Sequence, residues 1–248
     1  MKILINFLFS LLLILISRNA FAVVPPITDD TQTPGPNNWQ VGMALTVDGE
    51  RDHTRYETPV MEVDYGIGKN VGLKYQTAWI TLHSEAQETT KNGLDDQLIG
   101  VQWRFLDEEK IGAAMSILPQ VQFNSPNHSV ERGIVPRERS IFLLTQIEKN
   151  IKGLNFVTEW GYIVNEKARN EWYFAVMLRY KLAEKLTAMA EMNGGMDWDF
   201  TNQHYEFNAG FFYDVNDHVQ LFFTGGRGFV MQDGGPSMLL FLGTWVKF

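Results

Sequence analysis

The end of the chain constrains it most. Met238, Leu240, Leu242, Thr244, Val246 and Phe248 fall on one face of an extended strand, and Leu239, Phe241, Gly243, Trp245 and Lys247 on the other. A period of two marks a strand, because successive side chains point to opposite faces. Chain ends of soluble domains are commonly polar and frayed. A barrel in lipid needs the reverse, a closing strand that pairs on both edges and presents apolar groups outward. The pattern predicts the last strand of a transmembrane barrel, ending at Phe248, through which barrel-assembly machinery would receive the chain.

The other end carries a matching address. Lys2 supplies a positive start, Ile3 to Ile16 is apolar apart from Asn6 and Ser10, and Ala20-Phe21-Ala22 is a small-residue cleavage site. Residues 1–22 therefore read as a secretory signal peptide, too short and broken for a membrane anchor. Removing Lys2 and Arg18 takes the formal net charge from −8 to −10. Such an acidic chain argues against a nucleic-acid partner, which would call for clustered Lys and Arg. With no cysteine there are no disulfides or thiolate metal sites. After Ala22 no apolar run reaches the length of a spanning helix, so crossing the bilayer requires a closed barrel.

The body of the chain repeats the terminal pattern. Val71, Leu73, Tyr75, Thr77 and Trp79 share a face, as do Ile99, Val101, Trp103 and Phe105, then Trp172 to Tyr180 and Tyr205 to Tyr213 at every second residue. Short connections fall at 68–70, 107–110, 152–153, 183–185 and 215–217; longer polar ones fall near 48–57, 84–93, 124–137, 166–171, 196–204 and 230–237. Eleven connections predict twelve strands over residues 37–248, an all-β, antiparallel up-and-down barrel. Its short turns face the periplasm and its longer loops the exterior. The outward rings form two groups. Tyr65, Tyr75, Trp103, Phe105, Phe156, Tyr180, Tyr213 and Phe248 lie beside the short turns; Trp79, Trp160, Tyr162, Trp172, Phe174, Tyr205 and Phe207 lie nearer the long loops. Two belts are what the two membrane interfaces select. A soluble sandwich or lipocalin-like barrel has the same periodicity and differs in turning its apolar face inward.

With the rings toward lipid, the lumen is lined by Glu62, Asp64, Lys74, Gln76, Arg104, Glu148, Glu159, Arg179, Lys181, Glu191 and Glu206, with Asp96, Gln120, Gln122, Asn208 and Asp214 in the same rows. These residues either pair into a structural network or line a polar path that orients a solute. Twelve strands lie between barrels filled by side chains and open pores. Residues 23–36 contain four prolines and the pair Asp29-Asp30. Proline lacks the amide that a ladder uses, so a periplasmic tail without regular structure is expected; the alternative is a segment folded into the barrel that restricts it.

Signals for chemistry are sparse. His83-Ser84 and His128-Ser129 are adjacent pairs, and neighbours on a strand face opposite ways, so neither suggests a nucleophile with its base. The five histidines are scattered without ligand spacing, and the Gly-Gly pairs at 194, 225 and 234 precede no helix. No catalytic, cofactor or metal site is expected.

Several short motifs together resemble a known family of exported barrels. They are Ile27-Thr28-Asp29-Asp30, Glu62 to Ile67, Gly93 to Gly100, Ile117-Leu118-Pro119-Gln120, Trp160-Gly161-Tyr162 and Ala188 to Glu191. The family is labelled "MetA-pathway of phenol degradation", and the resemblance spans nearly the whole mature chain. It implies an outer-membrane channel that admits small hydrophobic or aromatic compounds, and it supplies no binding residues. The leading expectation is thus passive uptake of small solutes across the outer membrane. The alternatives are a non-conducting barrel that binds partners through its loops or supports the envelope, and an outer-membrane lipid hydrolase.

Overall fold

The computed structural model describes residues 27–49, 53–84, 88–124, 127–229 and 238–248. The expected signal peptide, residues 23–26 of the lead-in and the Gly234-Gly235 pair lie outside them. The chain runs through β1 (Trp39–Gly49), β2 (His53–Gly66), β3 (Val71–Ser84), β4 (Thr89–Leu94) and β5 (Gln97–Leu106). One turn of helix, α1 (Glu108–Ile111), leads to β6 (Ala114–Phe123), and α2 (Asn127–Glu131) lies between β6 and β7 (Arg139–Ile151). Then follow β8 (Leu154–Asn165), β9 (Glu171–Ala183), β10 (Leu186–Asp197), β11 (His204–Asp214), β12 (Val219–Phe229) and β13 (Met238–Lys247).

All pairings are antiparallel, and β1 pairs with both β2 and β13, so the sheet closes on itself. The seam is bonded to its last residue: the Trp39 amide donates to the Phe248 carbonyl at 3.1 Å and the Phe248 amide to the Trp39 carbonyl at 2.9 Å. β5 pairs with the first half of β3 and β4 with its second half, so these two segments form one stave broken at Asp95-Asp96. The thirteen segments make twelve staves, the predicted number.

The apolar rows face outward. Trp79, Trp103, Trp160, Tyr180 and Tyr213 are exposed on the barrel wall, and Glu62, Gln146, Glu159, Glu191 and Asn208 are buried within. Rings meet at both interfaces. Trp39–Tyr65 (4.5 Å) and Trp103–Phe105 (5.8 Å) lie at the short-turn end, and Tyr162–Trp172 (4.7 Å), Phe174–Tyr205 (5.5 Å) and Tyr205–Phe229 (5.7 Å) at the long-loop end. This is the lipid-facing wall of an outer-membrane β-barrel, not the dry interior of a soluble one.

Two expectations need correction. Residues 84–93 are mostly not loop: Thr81 to Ser84 pair with Asn92 to Thr89, extending the β3–β4 hairpin. Residues 48–57 likewise belong largely to β1 and β2. Threonine is polar yet suits a pleated strand, so polarity alone misplaced these boundaries. The inner face is also less polar than expected. Phe212, Phe222 and Trp245 are buried inside with Ala44, Met177 and Met189, and Leu239 and Phe241 are buried on the inward row of β13. Gly42 makes room for this cluster, since a Cβ there would stand 2.7 Å from the Trp245 ring.

Candidate functional site

The inward rows meet a stretch of chain for which the sequence left two places open, the periplasm and the lumen. Residues 27–34 run inside the barrel, and the backbone amides of Ile27, Thr28, Asp29 and Thr31, which have no ladder, find carboxylates on the wall. The amides of Ile27 and Thr28 donate to Glu191 at 3.2 and 3.0 Å, and the Thr28 hydroxyl adds a bond at 2.9 Å. The Asp29 amide donates to Glu159 at 3.2 Å. The Thr31 amide and hydroxyl donate to Glu148 at 3.3 and 2.6 Å. Buried amides need acceptors, and charged acceptors bind them strongly. Of the two places expected for residues 23–36, residues 27–34 take the lumen and not the periplasm. Proline content excludes a segment from the sheet but does not bar it from the lumen.

The carboxylates of the segment find the cations of the wall. Lys74 on β3 bonds Asp29 and stands 3.0 Å from Glu62. Arg179 on β9 bridges Asp30 (2.8 Å) and Glu148 (3.2 Å). Gln102 donates to the Asp30 carbonyl at 2.5 Å, and Arg104 donates to Gln32 at 3.1 Å. The segment leaves through a tight turn at Gly35 (φ 84°) and Asn37 (φ 61°) into β1. There the Asn37 amide donates to the Gly66 carbonyl at 2.8 Å. A Cβ at Gly66 would collide with the Gly35 carbonyl, so glycine is required for this approach.

Among the residues expected in the lumen, the segment gathers Glu62, Lys74, Arg104, Glu148, Glu159, Arg179 and Glu191. Asp64 sits beside Lys74 in register and is buried, as is Gln76. Lys181 is exposed at the short-turn end and bonds none of these groups. Glu206 is buried on β11, one inward position from Asn208, which donates to Glu191 at 3.3 Å. Sequence reasoning missed a second ionic group nearer the exterior, in which Arg55 joins Glu57 (2.6 Å) and Asp95 (3.0 Å). It also missed the loop after β6, which folds inward so that Ile134 and Val135 pack on Ile80. The apolar run Ile134-Val135 inside a stretch read as polar was the available signal.

Between the segment and the apolar wall lies a cavity of about 910 Å³, open toward the short turns and bordered by Asp30, Lys74, Arg179, Phe212, Trp245 and Phe248. Asp30, Lys74 and Arg179 border it on the segment side, and the rings of Phe212 and Trp245 border it on the other among Gln40, Gln220 and Lys247. The histidines form no dyad with the serines next to them: His83 bonds Thr90 at 3.0 Å, and His128 lies 3.9 Å from Glu131.

A family profile described as "Putative MetA-pathway of phenol degradation" matches residues 23–248, in agreement with the resemblance read from the motifs. No curated protein matches. Among solved structures, the COG4313 outer membrane channel from Pseudomonas putida F1 is similar with a TM-score of 0.70 at 10% identity, over 92% of this chain and 100% of that one. A KdgM porin is similar at 0.59 and 7% identity, over 84% and 99%. A NanC porin is similar at 0.58 and 9% identity, over 84% and 100%. At these identities the likeness is one of fold.

Proposed function

The chain belongs to the family described as "Putative MetA-pathway of phenol degradation", and on that premise we propose that it is a passive outer-membrane channel for small hydrophobic or aromatic solutes. The observation that carries this reading is the two-faced cavity. Phe212 and Trp245 offer apolar ring surface, and Lys74, Arg179 and Asp30 offer hydrogen bonds across from it. A small aromatic molecule with one polar substituent suits such a space, since pockets bind apolar bodies and orient them with few polar groups. The porins among the similar structures favour conduction. Export of the chain after removal of residues 1–22, reception of β13 and Phe248 by assembly machinery, and restriction of the barrel (37–248) by residues 23–36 belong to the same reading. We assign the protein no catalysis and no cofactor.

Conduction through this lumen is narrow, because residues 27–34 occupy it. Planar-bilayer recording tests the reading. The mature chain is expected to show small conductance steps, and a variant lacking residues 27–34 is expected to show steps severalfold larger. A folded barrel that conducts in neither form would overturn the channel. That result would favour the rival supported by the inward loop and the segment together: a closed barrel that acts through its exterior loops.

A further inference from the structure

Among the described residues, the lipid-facing wall carries one cation with no carboxylate beside it. Among the described strand residues, outward positions are charged at Arg139, Lys149 and Arg227. Arg139 opens β7 and lies 3.9 Å from Glu166. Lys149 precedes Asn150, whose amide donates to Glu108 at 2.8 Å, so a carboxylate stands close by. Arg227 has no comparable neighbour. Among the described residues it makes no hydrogen bond or ion pair, and its Nε is buried without an acceptor.

Its place on the wall is informative. Arg227 stands opposite Phe207 on β11 and opposite Met238 at the start of β13. Two residues on, Phe229 stacks against Tyr205 at 5.7 Å, and Tyr205 meets Phe174 at 5.5 Å. The arginine is thus set within the ring belt at the long-loop end, where the outer leaflet's head groups begin. A guanidinium facing hydrocarbon without a counter-ion among the described residues is unfavourable, and lipid phosphates are the anions that the bilayer offers at this depth. Its planar fork matches phosphate oxygens two at a time, and the flanking rings and Met238 suit acyl chains.

We infer that Arg227 is an outer-wall binding site for the phosphate of an outer-leaflet lipid, such as a phosphorylated glycolipid. The site is independent of the pore, because it lies on the opposite face of the sheet from the lumen.

Native mass spectrometry of the mature barrel in non-ionic detergent, titrated with a bis-phosphorylated lipid A and with its dephosphorylated form, tests the assignment. Wild type is expected to bind the phosphorylated lipid about tenfold more tightly than Arg227→Gln, the scale of one charge-assisted contact. The dephosphorylated lipid is expected to bind both equally. Arg227→Lys keeps the charge but not the fork and falls between them; Arg139→Gln matches wild type. Heat-modifiable gel migration verifies that each variant is folded. Equal binding by wild type, Arg227→Gln and Arg227→Lys would overturn the site. So would full displacement of the lipid by millimolar inorganic phosphate, which would make it a site for a free anion.

Discussion

Glu148, Glu159 and Glu191 serve as backbone acceptors, and Lys74 and Arg179 hold both wall and segment carboxylates. Removing one partner of a buried ion pair leaves the other unsatisfied, at a cost of about 3–5 kcal/mol. Lys74→Gln is therefore expected to lower the denaturant midpoint of the barrel in lipid clearly. Lys181→Gln, at an exposed position, is expected to shift it by no more than about 0.5 kcal/mol equivalent. Equal effects from the two would show that the network is solvated and weak. Gly66→Ala probes the segment from the other side. It leaves the lumen groups intact and blocks the turn at Gly35, so conductance is expected to rise toward that of the truncated chain. At this scale the sequence was partly legible. Alternation identified the wall residues, but the partners of Asp29 and Asp30 lie 45 and 149 positions away, a pairing no local pattern records.

Among the elements, the strands were the most readable and the loops the least. Period-two rows fixed β3, β5, β9, β11 and β13, while threonine-rich hairpin extensions passed for loops. The exterior loops are tied to one another through Glu138. Its carboxylate accepts the amides of Lys167 and Ala168, both at 2.9 Å, and of Arg139 at 3.2 Å. Partial desolvation acts to raise its pKa, but the amide bonds outweigh it and hold the group below the ordinary carboxylate range. A depressed carboxylate stabilises above its unfolded pKa and loses that contribution as pH falls through its folded pKa. Amide exchange at Lys167 and Ala168 is thus expected to stay slow at neutral pH and to accelerate, relative to intrinsic rates, only in acid below the usual carboxylate titration. In Glu138→Gln the protection is expected to be weaker and flat with pH. A second element-scale test concerns the loop that follows α2. Ile134→Asp places a charge against Ile80 and is expected to expel this loop from the barrel mouth, read as faster proteolysis after Arg132.

For the whole molecule, the barrel was legible from the repeated period-two rows together with the two groups of outward rings, which a soluble sandwich would turn inward. The lumen's division into an ionic side and a ring-bearing side was not. The inward Phe212, Phe222 and Trp245 share a face with Asn208, Gln220 and Lys247, so no row reads as purely apolar. Cross-barrel neighbours decide which end of such a row is dry. Deleting Phe248 removes both backbone bonds to Trp39. The folded fraction on unheated gels is expected to fall severalfold, with slower assembly into proteoliposomes.

The lumen segment ends only a few residues before β1, with a bonded turn between them. A peptide so briefly leashed presents itself to its own receptor at an effective concentration on the order of millimolar. Any permeant that seeks the same carboxylates and cations must outcompete a ligand that never diffuses away. Such a barrel would favour abundant, weakly held cargo that slips along the ring side, and would exclude scarce molecules that need the ionic side to be vacated.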